Sequence, residues 1–440
     1  MKGCRVPLLD LTPRPRGATA ASTHPVVVIG AGPVGLAAAA HLLERSIDTI
    51  VFEAGESAGA AVRSWGHVAL FSPWRYLVDP AAGRLLAPTG WLAPDPDEVP
   101  TGADVVTRYL EPLAQTAALS PRITTGARVV AVTRLGRDRT RSDCRGDAPF
   151  VVRVRRATGE VESVLARAVI DASGTLDTPN PIGGDGLPPL GLDEVGSFVL
   201  PPLPDVLGRD RARLAGRSVA VVGTGHSAAH TLLALAELSE DAPGTRAVWV
   251  RRRPPLRPST ADDLPERERL GSRLDALVDA GVVEVRDGFL IERVSSAGDG
   301  VRVSGVTADA PAAFDVDLVV AATGFRPDLT ITRELRLDFD EVSEAPRRLA
   351  PLIDPNLHSC GTVAPHGFAE LRHPEPGFFT VGMKSYGRAP TFLLATGYEQ
   401  VRSVAAWLAG DLAAARAVVL DLPATGVCST DRADAGGCCA

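Results

Sequence analysis

Two glycine turns, about 190 residues apart, constrain this chain more than any other feature of it. Val26-Val27-Val28-Ile29 runs into Gly30-Ala31-Gly32-Pro33-Val34-Gly35, and Val219-Ala220-Val221-Val222 runs into Gly223-Thr224-Gly225-His226-Ser227-Ala228. Each is an apolar β-type run that breaks into glycines and resumes as an alanine-rich helical stretch. A strand, a glycine turn and a helix in that order aim the helix N-terminus at a pyrophosphate. One such motif is also read as a tight turn with no ligand. Two in one chain, both in context, point to two dinucleotides meeting face to face.

The residues that end the next strand separate the two sites. After the first turn the chain reads as a helix, Leu36–Arg45, then a strand, Thr49-Ile50-Val51-Phe52, ending at Glu53. A carboxylate about 20 residues after the first glycine suits ribose hydroxyls, which makes the first site an FAD site. After the second turn, Ala247-Val248-Trp249-Val250 ends in Arg251-Arg252-Arg253 with no acid. Guanidinium forks on Arg251 and Arg252 suit the 2′-phosphate of NADPH; a solvated basic turn is the competing reading.

With 440 residues, 45% hydrophobic and 22% charged, the chain has material for two or three cores. A net charge of −7 argues against nucleic acid as a partner. No apolar run approaches membrane-span length, so no membrane partner is expected. Met1–Pro25 has no continuous apolar segment of the secretory kind. It reads as a mobile leader on a cytoplasmic protein. Six cysteines in a chain this size do not form a disulfide framework, and no C-x-x-C or C-x4-C lies near either glycine turn.

These signals give an α/β fold with two Rossmann-like dinucleotide-binding domains. The expected organisation is a disordered leader at 1–24, an FAD domain at 25–204, an inserted NADPH domain at 205–322, the rest of the FAD domain at 323–420, and a Cys-bearing tail at 421–440. Thr101–Thr116 reads as helix. Arg128–Val132, Phe150–Arg155 and Val161–Ala166 read as an antiparallel meander. Two apolar strands end in small-residue turns, one at Ser173-Gly174-Thr175 and one at Ala322-Thr323-Gly324, where backbone passes close to a cofactor. Thr178–Pro204, rich in Pro and Gly, reads as a linker or surface excursion.

The layout resembles the two-dinucleotide-binding-domain flavoproteins, and within them the flavin-containing monooxygenases. The carriers are Gly30, Gly32, Gly35 and Glu53, then Gly223, Gly225, Ala228 and Arg251–Arg253, then Ala322-Thr323-Gly324. More narrowly, Gly66–Trp74, Gly377–Arg402 and Thr425–Ser429 ahead of the Cys-rich end resemble the flavoprotein monooxygenases of bacterial arsenic-resistance operons. Two departures stand out. Phe198–Pro204 contains no histidine where the family's F-x-G-x-x-x-H signature would lie. Val381-Gly382-Met383 stands where a Gly-Asp pair is expected beside the flavin.

The resemblance implies FAD and NADPH as cofactors, and O2 and a small molecule as substrates; a homodimer stays an open expectation. FAD would take Gly30, Gly32, Pro33, Gly35, Glu53, Gly174, Gly382 and Thr391, with Ala389–Leu393 as a helix start among whose first positions Pro390 stands. NADPH would take Gly223, Gly225, His226, Ser227, Ala228, Thr323 and Gly324. Substrate-side candidates come from Trp65 to Tyr76, where His67, Phe71, Trp74, Arg75 and Tyr76 crowd as a pocket wall or as core under a loop; Trp65 and His67 are the candidates for catalysis there, with Cys438 and Cys439 in the tail. Cys428, Cys438 and Cys439 offer three soft thiolates, suited to trivalent arsenic or to delivering a dithiol, or without function. Three readings follow: a monooxygenase of a sulfur-, nitrogen- or arsenic-bearing molecule, an NADPH-dependent reductase that works through the tail cysteines, and a non-catalytic metalloid-binding or redox-sensing flavoprotein.

Overall fold

The computed structural model describes residues 23–253, 265–308, 310–354, 363, 365–389 and 392–420. The leader to residue 22, Pro390, Thr391 and the tail with Cys428, Cys438 and Cys439 lie outside them. The first glycine turn grows from a five-stranded parallel sheet ordered Phe378–Thr380, Ala168–Asp171, Val26–Ile29, Thr49–Phe52, Ile123–Thr124. All of Val26–Ile29 is buried, as a parallel strand covered on both faces must be. Helices Pro33–Glu44 and Leu394–Leu408 cover one face. The expected meander, Ala127–Arg134, Phe150–Arg156 and Val161–Ala166, packs on the other.

The second turn repeats this plan. Its parallel sheet is ordered Val283–Asp287, Arg246–Arg251, Ser218–Val222, Leu318–Val320, Val199–Leu200. Helix His226–Asp241 lies on one face, and a second meander of Phe289–Ala297, Gly300–Thr307 and Ala310–Val316 on the other. The fold is thus the α/β arrangement expected from the two turns.

The linker reading of Thr178–Pro204 is corrected. Val199–Leu200 pairs with Val319–Val320 inside the second sheet, and Ile182 and Val195 are buried in its core. The second unit therefore starts well before residue 205. Three apolar anchors separated by Pro and Gly carry no helical or strand period, so the sequence read them as a loop. The two crossings between the units pair with each other: Asn180 N–H donates to the Gly324 carbonyl (2.9 Å) and Arg326 N–H to the Thr178 carbonyl (3.0 Å). The Thr323 hydroxyl donates to the Asn180 carbonyl (2.5 Å).

A second correction concerns the last long helix. It runs Leu394–Leu408 behind an extended Leu393 (φ −114°, ψ 145°), so its first turn begins at Leu394 rather than at Ala389, while Pro390 and Thr391 lie outside the described residues. A 3-10 turn at Gly382–Tyr386 and Gly387 at φ +58° redirect the chain first. Among the described residues no helix is long and apolar enough to cross a membrane.

Buried charge ties the first meander to the segment before Phe378. Glu375 accepts from Arg134 Nε (2.8 Å), Arg145 Nη2 (2.8 Å) and the Arg336 N–H (3.0 Å). All three ionised side chains are nearly dry. Burial would raise the Glu375 carboxyl, but these donors together hold it below the usual range. Removing one member of such a cluster strands the others, so Glu375→Ala should cost about 3–5 kcal/mol in urea unfolding. His373, buried with Nδ1 accepting from the Asp338 N–H (3.2 Å), is held neutral, its pKa lowered from 6.5 to about 4 chiefly by burial. The unfolded chain therefore binds the extra proton first. Stability should fall as pH drops from 6.5 toward 4, and His373→Gln should flatten that slope in urea titrations at successive pH values.

Candidate functional site

The two glycine turns sit at the carboxyl edges of their sheets, where open α/β sheets take ligands. At the first, Gly30 has φ +96°, and a Cβ there would meet the Ala172 carbonyl oxygen at 2.8 Å. A Cβ on Gly35 would lie 2.0 Å from the Gly30 carbonyl oxygen, so helix and turn touch without room for a methyl. Gly32 is different: nothing stands within 4 Å of its Cβ position. It is the cap of Pro33–Glu44, and no side chain caps that helix. The first-turn N–H groups therefore face open space with the positive end of the helix dipole behind them. An anionic pyrophosphate fits there, and a side chain on Gly32 would fill its place. Beside it, the Glu53 carboxylate accepts from the Ala31 N–H (2.7 Å) and the Gly55 N–H (2.8 Å), fixed at the strand end with lone pairs left for hydroxyls.

The second turn has the same build. Gly223 takes φ +129° with the Ala322 carbonyl oxygen 2.1 Å from its Cβ position, and Gly225 opens on empty space at the uncapped start of His226–Asp241. Ala228, buried, fills the third glycine position. Trp249 braces the turn by donating Nε1–H to the Gly223 carbonyl (2.7 Å). Arg251 is already engaged: its guanidinium pairs with both Asp287 oxygens (2.5 Å each) and stacks on Trp249 (4.4 Å to the ring centroid). Arg252 is exposed and gives one N–H to the Gly184 carbonyl (3.1 Å); Arg253 is exposed beside it. Among the described residues at this strand end, Arg252 and Arg253 are exposed, whereas Arg251 is taken up by Asp287 and Trp249.

The aromatic stretch divides. Trp74 is core, and Trp65 is half-buried with its ring against Gly102. Phe71 instead crosses to the second unit, packing on its core, with ring centroids 4.7 Å from His226 and 5.8 Å from His230. Burial, then the nearby His67 and Arg273, push the His230 imidazole below its usual range, so it sits there neutral. Half-buried Phe71 therefore reaches the start of helix His226–Asp241 from the first unit, and exposed His67 lies near His230.

Beside the first turn runs the segment after Phe378–Thr380. The Gly382 N–H donates to Gln400 Oε1 (2.7 Å), and Gln400 Nε2 donates to Ser385 Oγ (2.9 Å). A Cβ on Gly382 (φ +67°) would meet Val34 of the first helix at 3.3 Å. Lys384 turns inward to Asp171 and Ser173. Thus Gly30, Gly32, Pro33, Gly35, Glu53, Gly174 and Gly382 gather on one sheet edge. Gly223, Gly225, His226, Ser227, Ala228 and Arg252 gather on the other. Thr323 and Gly324 lie in the paired crossing. The sequence reading missed Gln400, His230 and Lys384. Only Lys384 left a trace, as one of two lysines among 46 Lys and Arg.

Residues 24–372 match the family model described as pyridine nucleotide-disulphide oxidoreductase. No curated protein sequence matches the chain. Among solved structures, a bacillithiol disulfide reductase from Bacillus cereus aligns at TM-score 0.64 and 19% identity, over 88% of this chain and 98% of its own. An ornithine N-hydroxylase from Kutzneria, solved with reduced FAD, NADP+ and L-ornithine, aligns at 0.60 and 17%, over 89% and 98%. A flavin monooxygenase from Stenotrophomonas maltophilia aligns at 0.56 and 23%, over 88% and 98%. At these identities the likeness is one of fold.

The open glycines give a direct test. Gly32→Val should leave the unfolding midpoint nearly unchanged, because a Cβ there has no protein atom within 4 Å, yet should abolish FAD retention. Gly35→Ala should instead destabilise the domain. Equal FAD content in Gly32→Val and the parent protein would mean no pyrophosphate lies there.

Proposed function

Because the chain belongs to the pyridine nucleotide-disulphide oxidoreductase family, we propose that it is an FAD-dependent, NADPH-oxidising monooxygenase of a small sulfur-, nitrogen- or arsenic-bearing molecule. The observation that carries this reading is two complete dinucleotide cradles without a redox dithiol beside either. Between residues 23 and 420 the sequence has only Cys144 and Cys360. Cys144 heads a short turn of the first meander, at φ +48°.

In this reading the N–H groups behind Gly32 hold the FAD pyrophosphate and Glu53 the adenosine ribose. The Gly382 turn, fixed by Gln400, lies along the rest of the cofactor. The N–H groups behind Gly225 hold the NADPH pyrophosphate, with Arg252 and Arg253 on the 2′-phosphate. Phe71 and neutral His230 pack at the junction, and exposed His226 and His67 stand at its rim. Bound FAD supplies the electron-transfer and oxygen chemistry, and the protein supplies binding, orientation and shielding. The resemblance to arsenic-operon monooxygenases makes organoarsenicals the first substrates to try.

The alternative reading, an NADPH-dependent reductase working through Cys428, Cys438 and Cys439, is separated by truncation after Pro423. A monooxygenase keeps O2-dependent NADPH oxidation in the truncated chain and stops under argon. Anaerobic reduction of a disulfide or metalloid that disappears on truncation would assign the protein to the reductase. Tight arsenite binding without NADPH turnover would mark a sensor.

Arg252→Ala with Arg253→Ala should weaken NADP+ binding roughly tenfold or more, on the ~1.5–3 kcal/mol scale of hydrogen bonds to charged groups, and leave NAD+ binding nearly unchanged. Equal loss for both dinucleotides in a titration would remove these arginines from phosphate recognition.

A further inference from the structure

We infer that Lys384 is a positioning residue for the flavin, placing a buried ammonium on the cofactor edge of the first sheet, two residues after Gly382. The inference rests on the flavin reading above.

The placement follows from strand register. Ile29, Asp171 and Thr380 stand side by side at the carboxyl ends of three adjacent strands. Gly30 follows the first, Ser173 and Gly174 the second, and the Gly382 turn the third. Lys384 reaches back across this edge. Its Nζ donates to Asp171 Oδ2 (2.7 Å) and to Ser173 Oγ (3.0 Å), with both ionised side chains almost fully buried. Asp171 Oδ1 in turn accepts from the Ser173 hydroxyl (2.6 Å) and the Ser173 N–H (3.1 Å). The residue after Asp171 is Ala172, whose carbonyl packs on Gly30. Asp171 is therefore one residue from the carbonyl that packs on Gly30, and Lys384 is two residues from Gly382.

Stability alone does not call for it. Two charges taken out of water carry a desolvation cost that their attraction does little more than offset, and an apolar pair of similar volume holds such a site at least as well. What an apolar pair cannot supply is a fixed ammonium–carboxylate pair in a poorly screened place, whose two charges act in opposite directions on a nearby ring. A flavin ring that gains negative charge on reduction is stabilised by a nearby ammonium and opposed by a nearby carboxylate. Lysine suits the task better than arginine, because a compact point charge fits between Asp171 and Ser173 where a planar fork needs more room. In a chain with 46 Lys and Arg and only two lysines, this position departs from the general choice of arginine.

The test uses the full chain loaded with FAD and reads the two-electron reduction potential of the bound flavin, with thermal unfolding as the check on fold. Lys384→Met leaves the Asp171 carboxylate unpaired. It should move the potential to more negative values and raise the FAD dissociation constant about tenfold or more. Asp171→Asn leaves the ammonium uncompensated and should move the potential the other way. Opposite signs are the mark of charge, since damage to packing has no reason to reverse with the charge removed. Potentials that stay put, or move the same way in both variants, overturn the inference while leaving the flavin reading intact. If Lys384→Met does not fold, the sign of the Asp171→Asn shift decides alone. A parent protein that binds no FAD overturns the flavin reading and this inference with it.

Discussion

The contact on which the rest of the structure depends is backbone against backbone at the two glycine turns. The Ala172 carbonyl lies on Gly30, and the Ala322 carbonyl lies on Gly223. No side chain survives at either place. In both units a returning strand must therefore lie next to the strand that feeds the turn, and in both it does. That adjacency forces a crossover in each sheet, and the crossover leaves an open carboxyl edge beside the turn. Helix N-termini, Glu53 and the Gly382 turn are all positioned relative to that edge.

The two units repeat a plan but differ in charge. At the first, a fixed carboxylate ends the second strand; at the second, a guanidinium row does. Arg251 shows how the tertiary structure divides such a row. Its stacking on Trp249 and its pairing with Asp287 belong to the architecture of the sheet, while Arg252 and Arg253 extend past it. Between the units, the paired crossings at Thr178–Asn180 and Thr323–Arg326 keep the two edges at one junction, and Phe71 spans it. Phe71 meets His226 and His230 there.

Much of this was legible in the sequence because its signals are local. A glycine turn needs its strand before it and its helix after it within about a dozen residues, and the meanders alternate visibly. The helix after Pro33 and all three strands of the first meander fell where the pattern put them. The failures share a cause. Thr178–Pro204 has no period, so its three buried apolar residues looked like a loop until the second sheet collected them. Pro390 looked like a helix start, but the redirection at Gly387 delays the helix to Leu394. Trp65, His67, Phe71 and Trp74 are neighbours in sequence, yet they separate into packing, rim, junction and core.

The sequence by itself determined that this chain builds two parallel sheets, each ending in a glycine turn before a helix, and that an acid follows one and arginines the other. Steric exclusion at glycine and the period of strands act over short stretches, so they can be read without coordinates. The tertiary structure alone decided which arginine is already paired, which aromatic bridges the units, and that Lys384 meets Asp171 across 213 residues of chain. Those outcomes depend on strand order and register, which bring distant residues to one edge. No local pattern of residues encodes them.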